Sequence, residues 1–150
     1  MSLDLFSLKG RVALVTGGSR GIGKMIARGF LQSGAKVYIS SRKQAACDAT
    51  AAELSAFGEI VSLPMDVSTV EGAKALAAAL AAREPRLDIL VNNAGAAWLE
   101  PIDVFPEKGW DKVMDLNLKS PFFLTQALLP QLRAAAAGGH VAKVINIASI

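Results

Sequence analysis

The apolar positions of this chain fall into short unbroken runs that alternate with longer stretches at helical spacing. Val12 to Thr16 is such a run and ends in glycines; Lys24 to Gln32 then carries apolar residues at helical spacing up to Gly34, a stop signal. Val37 to Ser41 predicts a second strand, and Gln44 to Phe57 a second helix closed by Gly58. Ile60 to Met65 predicts a third strand. Ser68 with Glu71 has the form of a capping box for a helix from Thr69 to about Arg83. Leu87 to Val91 reads as a buried fourth strand, Trp110 to Arg133 as one long helix with Trp110 in the core, and Lys143 to Ala148 as a fifth strand. Pro121 cannot donate to the carbonyl of Asn117, four positions back, so that helix should bend there and leave the carbonyl to another donor such as water.

Runs that are apolar throughout imply strands covered on both faces. Strand and helix alternating over short connections then predict an α/β fold: a doubly wound parallel sheet with right-handed crossovers and helices on both faces. A chain of 150 residues suits one domain, residues 1–150.

Composition narrows the function. The chain is 52% hydrophobic and 19% charged, which is globular rather than disordered. Sixteen Lys and Arg against thirteen Asp and Glu give a net charge of only +3, with no basic run or interleaved aromatics, so nucleic acid is not an expected partner. Residues 1–9 lack a basic segment followed by an apolar core, and the longest apolar run, Ala75 to Ala82, is too short to span a bilayer. Cys47 is the single cysteine, expected to be structural filler and compatible with a reducing compartment; a cytoplasmic protein is the expectation. His140 is the only histidine, so neither a His-based triad nor a His-rich metal site can be assembled, and no metal is expected.

In a parallel sheet every strand's carboxyl end lies on one edge, and ligands bind there, where the strand order reverses. Those ends read Gly17 to Gly23, Ser41 and Arg42, Asp66 and Val67, Asn92 to Gly95, and Ser149; all are polar or glycine-rich. The turn Thr16-Gly17-Gly18-Ser19-Arg20-Gly21-Ile22-Gly23 lets backbone approach a pyrophosphate above a helix N-terminus, although a tight turn without a ligand also uses glycine. Asn92 and Asn93 end the strand beside the first, so their amides can brace that turn and approach a ribose. Two roles are open to Asp66: accepting from an exocyclic amine, or ordering the turn before the next helix. Trp98 stands just after Gly95, where lining a substrate mouth and plain packing are both open to it.

Together these residues resemble the short-chain dehydrogenase/reductase family. TGGSRGIG matches its Thr-Gly-x3-Gly-x-Gly motif and Asn92-Asn93-Ala94-Gly95 its Asn-Asn-Ala-Gly motif, and the resemblance runs from Leu8 to Ile150. It implies a Rossmann-like fold, a nicotinamide cofactor, and hydride transfer to or from a carbonyl or secondary alcohol carbon. The resemblance assigns Gly17, Ser19, Arg20, Gly21, Ile22, Gly23, Ser41, Arg42, Asp66, Val67, Asn93, Ala94 and Gly95 to the cofactor, with Asp66 on the adenine amino group and Val67 beside that ring. Asn117 matches the family's active-site asparagine, which holds a water in a proton relay, and Ser149 its active-site serine, which hydrogen-bonds the substrate oxygen.

Sites for NAD usually place an acid at the end of the second strand, to hold the ribose 2′-hydroxyl. Here the sequence is Ser40-Ser41-Arg42-Lys43, without an acid, so NADP is the expected cofactor, with Arg42 and Arg20 on the 2′-phosphate. Among family members the chain looks most like 3-oxoacyl carrier-protein reductases, which makes a 3-oxoacyl thioester one candidate substrate. The resemblance also implies a homo-oligomer through the long helix. A Tyr-x3-Lys motif, which the family uses to protonate the substrate oxygen, is missing from these residues: Tyr38 is the only tyrosine, and its fourth follower is Arg42. The chain is therefore expected to be incomplete at its C-terminus, and inactive and poorly soluble when made alone, with the motif following Ser149 in a longer parent. A dinucleotide-sensing module without chemistry is the competing reading, and a structural interaction protein docking through the long helix a third.

Overall fold

The computed structural model of the chain describes residues 4–139 and 141–148. Five parallel strands form one sheet in the order β3-β2-β1-β4-β5: β1 Val12–Thr16, β2 Lys36–Ser40, β3 Ile60–Ser62, β4 Ile89–Asn92 and β5 Lys143–Asn146. The chain winds outward from β1 through β2 to β3, then crosses back to place β4 on the other flank of β1. The order therefore reverses between β1 and β4, which is where a ligand crevice opens in such sheets.

Successive residues of β1 feed opposite layers, the physical basis of its unbroken apolar run. Ala13 and Val15 enter one core with Ala27 and Leu31 of α1 (Gly21–Gln32) and with Cys47 and Leu54 of α2 (Gln44–Leu54). Val12 and Leu14 enter the other, with Leu76 and Leu80 of α3 (Val70–Ala81) and Leu124, Leu128 and Leu132 of α5 (Ser120–Ala137). Cys47 is fully buried, as a filler should be, and its thiol donates weakly to the Ile39 carbonyl at 3.4 Å.

Apart from shifted element ends, three details differ from the sequence expectations. The cap of α3 is Thr69, not Ser68: the Thr69 hydroxyl accepts from the Gly72 N–H at 3.0 Å, while the Ser68 N–H is drawn to the Asp66 carboxylate at 3.0 Å. Two adjacent hydroxyls offered two registers, and the Asp66 turn selects the second.

The long helix is two helices, α4 (Glu107–Met114) and α5, joined by a π turn over Asp115–Lys119 in which the Ser120 N–H reaches back five residues to the Asp115 carbonyl. The turn widens just before Pro121, whose missing N–H removes one ordinary i→i−4 bond; a π turn is one way to absorb such a defect.

Trp110 is 59% exposed rather than core. The neighbouring Gly109 is the residue of α4 that seats against the Trp98 ring, where a Cβ would come within 2.8 Å, and this turns Trp110 outward. Lys112 lies over the same ring at 5.2 Å, so Trp98 packs against α4. On the outer edge, β5 leaves Val144 42% and Ile145 39% exposed.

Candidate functional site

The carboxyl edge between β1 and β4 is built around the Thr16 hydroxyl. It is 2% exposed, accepts from the backbone N–H groups of Asn93 and Ala94, both at 3.0 Å, and donates to the Val91 carbonyl at 3.3 Å. The Asn93 amide then donates back to the carbonyls of Thr16 at 3.0 Å and Gly17 at 3.4 Å. Two loops from different strands are thereby locked to one another. Thr16 opens the glycine motif in the sequence, but nothing local to it announced that its hydroxyl would bind the loop after β4.

Glycine is required where this lock closes. Gly17 has φ +65°, and a Cβ there would come within 2.8 Å of Asn93 Nδ2. A Cβ on Gly23 would overlap the Gly17 carbonyl itself. The first turn of α1 consequently lies directly on the loop, and its N-terminus carries no side-chain cap and no acidic residue. Uncapped N–H groups and the positive end of the helix dipole are left for an anion.

The other expected cofactor residues surround this cradle. Arg20 and Arg42 are exposed, and neither belongs to an ion pair among the described residues. Ser41 is half-buried, donating to the Lys43 carbonyl at 3.4 Å, while Ile22 stands 56% exposed at the head of α1. Asp66 is exposed with one carboxylate oxygen already accepting from Ser68. Val67 is 4% exposed and packs into the core beneath α3.

Asn92 and Asn93 have divided their work. Asn93 braces the glycine turn as expected, but Asn92 faces the opposite way, donating to Asn146 of β5 at 2.9 Å and to Thr125 of α5 at 3.3 Å. Adjacent residues at a strand end point to opposite faces, so only one of the pair can reach the turn. Asn117 sits in the π turn, and its side-chain amide pairs with the backbone of Ala96 in both directions: the Ala96 N–H donates to Oδ1 at 2.8 Å and Nδ2 donates to the Ala96 carbonyl at 2.9 Å. The side chain thus holds the segment that follows Gly95. Ser149 lies outside the described residues, as does His140.

A charge network lies elsewhere, on β2 and the carboxylates that face it. The Tyr38 hydroxyl donates to Glu84 Oε1 at 2.6 Å, and the Lys36 ammonium bridges Glu84 at 2.7 Å and Glu59 at 2.8 Å. Burial and the Glu84 carboxylate push the Tyr38 phenol above its ordinary value. Burial alone would raise Glu84, but hydrogen bonds from Lys36 and Tyr38 outweigh it and hold the carboxyl below the usual range. The Glu59 and Glu84 carboxylates hold the Lys36 ammonium above the usual lysine range. A tyrosine 1% exposed and bonded to a carboxylate cannot protonate a ligand at the carboxyl edge. Among the described residues no group of three or more His, Cys, Asp or Glu could hold a metal ion.

The glycine cradle and the Asn93 brace at the reversal of a parallel sheet make the kind of edge at which such folds bind nucleotides. A model of the short chain dehydrogenase family matches residues 11–150, and the chain belongs to that family. It is 53% identical over 145 residues to the rhamnolipids biosynthesis 3-oxoacyl-(acyl-carrier-protein) reductase of Pseudomonas aeruginosa, covering 97% of this chain and 57% of that protein. The solved Pseudomonas aeruginosa RhlG/NADP active-site complex superposes with a TM-score of 0.93 at 53% identity, covering 96% of this chain and 56% of the other. L-Sorbose reductase from Gluconobacter frateurii, complexed with NADPH and L-sorbose, superposes with a TM-score of 0.90 at 31% identity, covering 97% and 54%. The chain thus spans a little over half the length of the relatives it matches.

Proposed function

We propose that these residues are the cofactor-binding part of an NADP(H)-dependent oxidoreductase that interconverts a carbonyl and a secondary alcohol. The observation that carries the reading is the cradle at the β1–β4 reversal: Gly17 and Gly23, where any side chain would strike backbone or Asn93, beneath an uncapped helix N-terminus. Such a site fits a pyrophosphate. Fold alone does not choose between NAD and NADP. The choice rests on Arg20 and Arg42, exposed and outside every ion pair among the described residues, at a strand end without an acid.

When bound, a nicotinamide cofactor would supply or accept the hydride. Around it the chain's own residues hold and orient: backbone N–H groups of the α1 N-terminus on the pyrophosphate, Arg20 and Arg42 on the 2′-phosphate, Asp66 on the adenine amine, and Asn93, Ala94 and Gly95 along the ribose. Asn117 fixes the Ala96 segment through its side chain, and Ser149 is assigned to the substrate oxygen. The Tyr-x3-Lys pair that the resemblance calls for is not among these residues, and Tyr38 is committed to Glu84. Residues 1–150 made alone are therefore expected to lack reductase activity and, with Val144 and Ile145 uncovered, to be poorly soluble. Membership of the family weighs against the sensing module.

The name of the Pseudomonas aeruginosa relative supports a 3-oxoacyl thioester as substrate class. Trp110, Leu118 and Phe122, 59%, 61% and 63% exposed along α4, the π turn and α5, support a homo-oligomer contact. The buried free thiol of Cys47 fits a reducing, cytoplasmic setting.

The deciding experiment titrates NADPH and NADH into the wild type and Arg42→Ala. A charge-assisted contact is worth about 1.5–3 kcal/mol, so Arg42→Ala should weaken NADPH roughly 10- to 150-fold and leave NADH unchanged. Equal wild-type affinities, or an unaffected variant, would overturn the NADP assignment.

A further inference from the structure

Thr50 sits in the middle of α2, 5% exposed, and its hydroxyl donates to the carbonyl of Ser19 at 2.9 Å. A threonine hydroxyl within a helix ordinarily turns back to a carbonyl three or four residues earlier. Here it reaches a partner 31 positions away, in the glycine turn. The rest of this face of α2 is alanine, cysteine and leucine, so packing alone does not call for a hydroxyl.

The tether joins the two segments that carry Arg20 and Arg42, which form no ion pair among the described residues. α2 starts at Gln44, directly after Arg42 and Lys43, and is anchored to the end of β2 through the Cys47 thiol on the Ile39 carbonyl. Ser19 directly precedes Arg20, whose backbone is extended at φ −161° and ψ 170° and whose side chain makes no capping bond. One turn further along α2, Glu53 meets Lys24 of α1 at 2.6 Å, but that carboxylate is 61% exposed and the pair is weakened by solvent and salt. Thr50 therefore provides a buried link between the helix that follows Arg42 and the loop that carries Arg20, beside the backbone bond from the Gly18 N–H to the Ser40 carbonyl at 3.2 Å.

Resting on the NADP reading above, we infer that Thr50 is a positioning residue for cofactor choice: by tying the Ser19 carbonyl to α2, it holds Arg20 beside the 2′-phosphate that Arg42 binds. Thr50→Val keeps the shape of the side chain and removes the donor. Thr50→Ser keeps the donor and removes a methyl group.

The test measures dissociation constants for NADPH and NADH in the full-length protein with each variant, alone and combined with Arg20→Ala. Thr50→Val should raise the NADPH constant about 3- to 10-fold, the worth of one ordinary hydrogen bond, and move NADH less than about twofold. Thr50→Ser should restore NADPH binding, and Thr50→Val should add nothing once Arg20 is gone. Equal weakening of both cofactors would make Thr50 a merely structural residue and overturn the inference. So would a wild type that prefers NADPH beside an unchanged Thr50→Val. A wild type that binds both cofactors equally defeats the NADP reading first, and this inference with it.

Discussion

Replacing Thr16 with valine should unlock the two loops at the carboxyl edge while sparing the strand. Valine has the same branched shape and suits β1 equally well, so the packing of a residue 2% exposed is preserved and only the hydroxyl is lost. Two N–H donors, from Asn93 and Ala94, lose their acceptor at 3.0 Å; the longer bond to Val91 at 3.3 Å contributes less. Asn93 and Ala94 are half-buried, so water can recover part of the loss. At about 0.5–1.5 kcal/mol for each net hydrogen bond, the variant should lose about 2 kcal/mol of stability. The Asn93 amide that braces the Gly17 carbonyl hangs from the same backbone, so NADPH should bind about tenfold more weakly. Urea unfolding followed by circular dichroism gives the first number, and fluorescence titration the second. Thr16→Ser, which loses a buried methyl worth about 0.8 kcal/mol but keeps the hydroxyl, should retain wild-type NADPH affinity. A Thr16→Val protein within about 0.5 kcal/mol of wild type, or a serine variant that loses affinity as valine does, would refute the idea that this hydroxyl organises the edge.

Gly23→Ala places a methyl on the Gly17 carbonyl, so NADPH binding should fall at least roughly tenfold by titration while the far-UV spectrum stays native. Asn117→Ala removes both bonds to Ala96; amide exchange at Ala96 should quicken by about an order of magnitude, and unchanged exchange would mean that the π turn alone holds the segment. The Glu84 carboxyl sits below its unfolded value, so its stabilisation is present above about pH 4.5 and lost as pH falls through the folded value. Lys36 and Tyr38 are raised, so theirs is present below about pH 10 and lost as pH rises further. Urea midpoints should show that plateau, and Glu84→Gln should flatten its acid limb; a wild-type slope in the variant would place the acid sensitivity at other carboxylates.

The pattern along the chain already specified the order and kind of the main elements, because unbroken apolar runs and helical spacing report local geometry and the coverage of each face. It also determined the glycine turn and the Asn-Asn-Ala-Gly end, whose residue types are demanded by close approach of backbone. Tertiary structure decided which partners those residues take. Thr16 and Asn93 stand 77 positions apart, and no local pattern announces that one hydroxyl will serve both loops. The division of labour between Asn92 and Asn93 depends on which face of β4 meets the turn. The choice of Thr69 over Ser68 depends on where Asp66 points. Trp110 lies outside because Gly109 claims the contact with Trp98, a residue from another loop. Periodicity along a chain records how strongly a position is driven to be buried, whereas a hydrogen-bond partner is set by distances across the sheet, and these exist only after the chain has folded.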